Sequence, residues 1–250
     1  MEKIESSFFF FDIETICDTQ VFKDDSRQSQ QGQKTFPPLY AHKIVTIGAM
    51  LLDQQFLFKK IGILGDGKEE DSILREFNKF VSDKKPIMVS FNGRRFDLPV
   101  IMLRSLKYGI DMRWYLTYQD YTKRYPDSTK GFPSLKHYDL CDILSMQSSA
   151  PFPSLDGVSM LLGLGGKRGM DGSKVQEEYE KGNLTAIQGY CLADVVMTAC
   201  VFLRYMLISG GINPERYNDS LDSCIKGISQ DERIKGFISL EEIESLKITL

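Results

Sequence analysis

The apolar positions change period several times along the chain, and each change marks an element. Phe8–Ile13 opens with four consecutive phenylalanines, the pattern of a short strand buried on both faces. Lys43–Leu52 and Phe56–Ile63 are rich in apolar and β-branched residues and are separated by Asp53-Gln54-Gln55, which predicts an antiparallel hairpin. Between Glu69 and Ser82, Ile73, Leu74, Phe77, Phe80 and Val81 form one helical stripe. Pro86 stops that helix, and Ile87–Phe91 returns to strand before a turn at Asn92-Gly93. Leu98–Tyr108 predicts a helix with Pro99 in its first turn and Gly109 as its stop. Leu135–Leu144 contains a short strand. Ser154–Leu162, Ser173–Lys181 and Leu184–Leu207 predict helices, the last being the longest and least polar. Asp18–Pro38 is polar and reads as a long mobile loop, and Arg113–Gly131 as an irregular basic, aromatic stretch. Past Gly210-Gly211 the chain turns polar, with a weak helical signal over Ser239–Leu246. Strands, then strand–helix alternation, then helices predict one α/β domain with a mixed sheet over residues 1–209, followed by an extension over 210–250.

Composition narrows the functional classes. The 250 residues carry 31 Lys+Arg against 34 Asp+Glu, a net charge of −3. That balance excludes a protein that coats nucleic acid by bulk charge, but leaves room for local grip. Five cysteines without a C-x-x-C pair argue against a disulfide framework or a zinc ribbon. His42 and His137, the two histidines, are little material for a histidine-based metal site. No stretch approaches the roughly 18–20 uninterrupted apolar residues of a membrane span. The run Phe8–Phe11 meets Asp12 and Glu14 at once, unlike a signal peptide. The expectation is a cytoplasmic protein with no membrane partner.

Three short segments carry chemistry. In Asp12-Ile13-Glu14 the two acids lie two apart on a strand, so both project from one face. Side by side they repel unless a cation neutralises them, and such oxygen-rich sites suit Mg²⁺ or Mn²⁺. D-x-E is also a common solvated strand end, but the apolar run before it puts the acids at the carboxyl end of a buried strand, where open α/β sheets bind ligands. The second segment runs from Ser90 to Pro99: Asp97 opens a helix, as a cap or a functional acid, and Asn92 sits in the turn. The third is Tyr190–Asp194, where tyrosine and aspartate four apart share a helix face. An acid inside that apolar helix is costly without a partner, which a core Tyr–Asp hydrogen bond would also supply.

Taken in this order, F-D-I-E-T at 11–15, F-N-G-R-R-F-D at 91–97 and Y-C-L-A-D at 190–194 resemble the three motifs of the DEDD 3′–5′ exonucleases. A tyrosine four residues before the last aspartate marks the DEDDy branch; the histidine branch would need His at position 189, which is Gly189. The F-N-x-x-x-F-D form is most similar to the proofreading domain of family-B DNA polymerases. His137–Asp142 and the run from Leu161 through Lys174 resemble stand-alone bacterial relatives of that domain. The likeness implies an RNase H-like fold, a mixed five-stranded sheet of order 3-2-1-4-5 flanked by helices. It also implies trimming of single-stranded nucleic acid from a free 3′ end, DNA favoured over RNA. Two divalent cations, Mg²⁺ or Mn²⁺, would sit on Asp12, Glu14, Asp97 and Asp194, and at roughly 3.5–4 Å separation they can address both ends of an in-line displacement. Asp12, Glu14 and Asp194 are assigned to the ion that activates the attacking water, Asp12 bridges, and Asp97 acts through water on the second ion. Tyr190 orients the attacking water.

Grip on the strand is expected elsewhere. From Arg94 to Lys136 nine Lys/Arg stand against four acids, interleaved with Trp114, Tyr115, Tyr118, Tyr121, Tyr125 and Phe132. Cations and aromatic faces are the ingredients of single-strand binding, although a solvated basic surface over core aromatics has the same composition. The substrate-binding candidates are Asn92, Arg94, Arg95, Phe96, Lys167 and Arg168. Cys141, Cys191 and Cys200 read as small core residues, and Asp139 and Asp142 as either site-facing acids or strand-end caps. The remaining alternatives are a catalytically weak nucleic-acid-binding module, or an exonuclease subunit that docks on a polymerase or repair partner through residues 210–250.

Overall fold

The four phenylalanines belong to β1 (Phe8–Cys17), the central strand of a five-stranded sheet. The computed structural model describes residues 7–23, 36–117, 119–126, 135–165 and 170–249. β1 pairs antiparallel with β2 (His42–Leu52), which pairs antiparallel with β3 (Phe58–Leu64). On its other edge β1 runs parallel to β4 (Ile87–Ser90), and β4 parallel to β5 (His137–Asp139). The order is 3-2-1-4-5, the RNase H-like sheet that the motif resemblance implies. β1 extends four residues beyond the expected Ile13, because β2 supplies a partner out to Cys17.

Both faces of the sheet are covered, which is why β1 is apolar without alternation. Phe9, Phe11 and Ile13 meet the cluster built by α1 (Glu70–Lys84) and α2 (Asp97–Tyr108). The short α3 (Arg113–Leu116) adds Trp114 to it. β5 leads into α4 (Leu140–Leu144), then α5 (Leu155–Leu162) and α6 (Val175–Glu180). Phe8 and Phe10 face the opposite way, against α7 (Leu184–Ile208). This 25-residue helix is long and apolar enough to cross a membrane, yet 78% of its apolar window is buried inside the protein.

The 210–250 extension contributes to the same cluster. α8 (Pro214–Ile228) and α9 (Leu240–Ser245), with Leu246 just after it, bury Tyr217, Leu221, Cys224, Ile228, Ile243 and Leu246 there. The sequence reading missed α8 because its narrow stripe of spacing four, three and four is diluted by charged residues. Its start is nevertheless well defined: Asn213 accepts the Arg216 N–H and Pro214 follows the cap. The Asp18–Pro38 loop is described at its ends, and residues 24–35 lie outside the described residues.

A buried ionic knot ties these layers together. Arg104, 2% exposed, donates to both Glu70 oxygens (Nε to Oε1 2.7 Å, Nη2 to Oε2 2.5 Å) and to Asp18 Oδ2 at 2.8 Å. Glu70 also accepts the Ile44 N–H and the Tyr108 hydroxyl, each at 2.8 Å. The end of β1 is thereby fastened to α1, α2 and β2.

Candidate active site

Asp12 and Glu14 stand two apart on β1 and share the α7 face with Phe8 and Phe10. Just beyond them the ladder slips: Glu14 opposes Thr46, whereas Thr15 opposes Ile44, so Val45 is an extra residue in β2. Asp12, Glu14 and Cys191 offer ligand atoms that all lie within 4.8 Å of one another. The Cys191 sulfur lies 3.4 Å from the Asp12 carbonyl oxygen and 3.5 Å from its Oδ2, and accepts the Gly48 N–H at 3.2 Å. Burial, then the charges of Asp12 and Glu14, push this thiol well above its usual value. It is a protonated donor that holds Asp12, and not a ligand for a hard cation.

Gly48 makes that contact possible. A Cβ there would sit 2.9 Å from the Cys191 sulfur and 3.3 Å from its carbonyl oxygen, so α7 rests directly on the β2 backbone. Across the sheet, Asp97 opens α2 and its Oδ1 accepts the Ile13 N–H at 3.2 Å. Burial raises the Asp97 carboxyl to about 7, with Asp139 and Asp194 adding to the rise. Asp12 is also raised, first by burial and then by Asp97, Glu14 and Asp194. On α7, one turn apart, the Tyr190 hydroxyl donates to Asp194; burial, then Asp194, Glu14 and Asp12, hold the phenol protonated.

The structure therefore brings Asp12, Glu14, Asp97, Tyr190 and Asp194 to one place between β1, α2 and α7. Carboxylates gathered this closely in a buried place are a donor set that a divalent cation relieves. Their hard-oxygen chemistry fits Mg²⁺ or Mn²⁺.

Asp139 at the end of β5 holds the loop that leads to Asp97. Its carboxylate accepts the N–H groups of Asn92 (2.9 Å) and Arg94 (2.8 Å), while its Oδ1 also caps α4 through Cys141 (3.1 Å). Asn92 consequently adopts a left-handed φ of 66°. At Gly93 a Cβ would sit 2.4 Å from Ser90 Oγ, so the turn requires glycine. Ser90 Oγ in turn hydrogen-bonds His137 Nε2 at 2.8 Å, and burial holds that imidazole neutral.

The substrate candidates separate. Arg94 turns inward, its guanidinium donating to the carbonyls of Tyr121 (3.1 Å), Lys123 (2.8 Å) and His137 (2.9 Å); it pins the 121–123 turn and does not face solvent. Arg95 points outward with its guanidinium 4.0 Å above the Phe152 ring. Arg95 and Phe152 line, with Phe91, Asn92 and Pro153, an open groove of about 370 Å³. Phe96 is half-buried, edge-on to His42 at 5.0 Å, and Phe36 covers His42 at 4.9 Å. Lys167 and Arg168 lie outside the described residues, as do Tyr118, Lys130 and Phe132. Trp114 and Tyr121 prove to be core: Trp114 donates to Asn78 Oδ1 at 2.8 Å and Tyr121 to the Pro86 carbonyl at 2.9 Å. The aromatic–basic composition of 94–136 is thus partly interior packing.

Three contributors escaped the sequence reading: Cys191 and Gly48, which set the height of α7, and Thr15, whose hydroxyl binds His42 Nδ1 at 2.8 Å beside Glu14. Glycine inside an otherwise apolar strand is the signal that could have exposed the first pair.

Comparison with known proteins defines the class. Over 97% of this chain the fold is similar to the family B DNA polymerase from the hyperthermophilic archaeon Pyrobaculum calidifontis, with a TM-score of 0.52 and 17% identity. The chain spans 27% of that polymerase's length, and at this identity the likeness concerns the RNase H-like fold alone. Residues 34–240 match the family described as predicted 3′-5′ exonuclease related to the exonuclease domain of PolB, and the chain belongs to that family. No curated protein matches it.

Proposed function

We propose that this protein is a metal-dependent 3′–5′ exonuclease of the DEDDy type that trims single-stranded nucleic acid, with DNA favoured over RNA. The observation that carries the reading is the convergence of four carboxylates and the Tyr190 hydroxyl between β1, α2 and α7. Asp12, Glu14, Asp97 and Asp194 would hold two Mg²⁺ or Mn²⁺ ions, with Asp12 shared. When bound, such ions lower the pKa of a water and offset charge that builds on the phosphate during in-line displacement. Tyr190 spends its proton on Asp194, which leaves a phenolic lone pair to accept a hydrogen bond from the attacking water. Its raised pKa supports a role in orienting that water and speaks against one as general base. Asp97 fixes the end of α2 to β1 through the Ile13 N–H, so the acids keep their spacing as the substrate enters.

The exposed Arg95–Phe152 pair and Asn92 suit the nucleotides just behind the 3′ end, one cation for a phosphate and one aromatic face for a base. The family's relation to the exonuclease domain of PolB supports DNA over RNA. The test is a degradation ladder with 5′-labelled single-stranded DNA, RNA and mismatched duplex, run in Mn²⁺ and in EDTA. Progressive shortening from the 3′ end in Mn²⁺ and none in EDTA is the expected result. Internal cuts, trimming from the 5′ end, or full activity in EDTA would overturn the proposal.

A further inference from the structure

The residue before Tyr190 is Gly189, and it faces the C-terminal extension. A Cβ at this position would lie 2.3 Å from the Arg233 carbonyl oxygen and 2.7 Å from the Phe237 ring, so the α7 backbone and that ring are in direct contact. The segment that carries Phe237 is tethered. Asp231 accepts the Arg233 N–H at 3.0 Å and its Nη2 at 2.7 Å. The Arg233 Nη1 reaches Asp66 Oδ2 at 3.4 Å, and Asp66 Oδ1 accepts from Gln188 Nε2 at 2.7 Å. Gln188 is the neighbour of Gly189, so one chain of hydrogen bonds returns from the extension to the α7 turn that bears the phenol. Phe237 also packs against the cluster of Ile16, Val45, Val175, Ile187 and Tyr190.

We propose that Phe237 is a positioning residue for Tyr190: lying on Gly189 and against the apolar cluster that holds the Tyr190 ring, it fixes the angle at which the phenol leaves α7 and so aims it at Asp194 and at the attacking water. A tyrosine hydroxyl stands at the end of a long rigid side chain, so a slight swing of the ring about its Cα–Cβ bond is magnified at the oxygen. Misplacement of a catalytic group by about 1 Å can cost about a hundredfold in rate. This inference rests on the exonuclease reading above.

The experiment measures steady-state trimming of 5′-labelled single-stranded DNA in Mn²⁺, with melting temperatures alongside. The proteins are the wild type, Phe237→Ala, Phe237→Leu, Tyr190→Phe and the Phe237→Ala/Tyr190→Phe double variant. Phe237→Ala is expected to lower kcat about ten- to hundredfold with KM unchanged, and Phe237→Leu to restore most of it. In the Tyr190→Phe background, Phe237→Ala should add nothing, because the group it positions is already gone. Asp66→Ala, at an exposed residue, cuts the tether without touching the core and should give the same kcat-only loss at about threefold. It serves if Phe237→Ala does not fold. Equal losses in both backgrounds, a rise in KM alone, or a wild-type rate in Phe237→Ala and Asp66→Ala would overturn the proposal. A wild type that trims nothing would overturn the exonuclease reading itself, and a Tyr190→Phe variant as fast as wild type would overturn the positioning role while leaving that reading intact.

Discussion

Replacing Asp97 by asparagine is expected to stabilise the metal-free protein at pH 8. Asp97 is 4% exposed, and burial together with Asp139 and Asp194 lifts its carboxyl from 3.8 to about 7. An acid whose folded pKa lies above its unfolded value makes the native state hold a proton that the unfolded chain has released. Stability therefore falls as pH rises from about 4 to about 7, and the whole cost is present above that window. A gap of about three pH units at 1.36 kcal/mol each sets a ceiling of about 4 kcal/mol. Asparagine keeps an oxygen for the Ile13 N–H and removes the charge, so a gain of about 2–4 kcal/mol is expected, or about 5–10 °C in Tm. The assay is thermal melting in EDTA at pH 8 and pH 3.5. The variant should melt higher at pH 8 and level with wild type at pH 3.5, where both states are protonated. Adding Mn²⁺ at pH 8 should raise wild type more than the variant and narrow the gap. A variant that melts at or below wild type at pH 8 in EDTA would refute the reasoning.

Arg104→Met leaves Glu70 buried without its cation and Asp18 with Lys107 alone, and should cost about 3–5 kcal/mol, read from urea denaturation; a loss under 1 kcal/mol would show that the knot is dispensable. Arg94→Ala and Arg95→Ala should diverge. The first lowers Tm through three lost hydrogen bonds, about 2–3 kcal/mol in sum, while the second leaves Tm alone and raises KM for single strands about three- to tenfold. The reverse assignment would contradict the orientations described. Gly48→Ala drives a methyl group into Cys191 and should cost about 1–3 kcal/mol and slow turnover as α7 lifts from Asp12; wild-type turnover would count against that contact.

What could be read from the chain depended on how local the determining physics is. Phe8–Phe11 signalled a strand buried on both faces because every position in it is apolar, and Tyr190 and Asp194 lay on one face by helix periodicity alone. The paired Arg94 and Arg95 show the opposite case. They are identical neighbours, and only the left-handed turn at Asn92, held by Asp139 from another strand, sends one inward and the other out. Arg104 finds Glu70 and Asp18 at sequence separations of 34 and 86, which no local pattern encodes. α8 escaped because a narrow stripe within a polar helix becomes visible only once the surface it covers is known.

The extra residue at Val45 makes β2 a strand with two phases. From Thr46 onward its even positions face α7 in step with Asp12 and Glu14, while before it Val45 takes that side and Ile44 turns to the α1–α2 cluster. One stretch of β2 thus keeps time with the acids, and the other with the apolar bed beneath Tyr190. Deleting Val45 would leave Asp12 and Glu14 in register and Ile44 on its own face, but would take a side chain from the apolar bed beneath Tyr190, so that bed could loosen while the acids stayed in place.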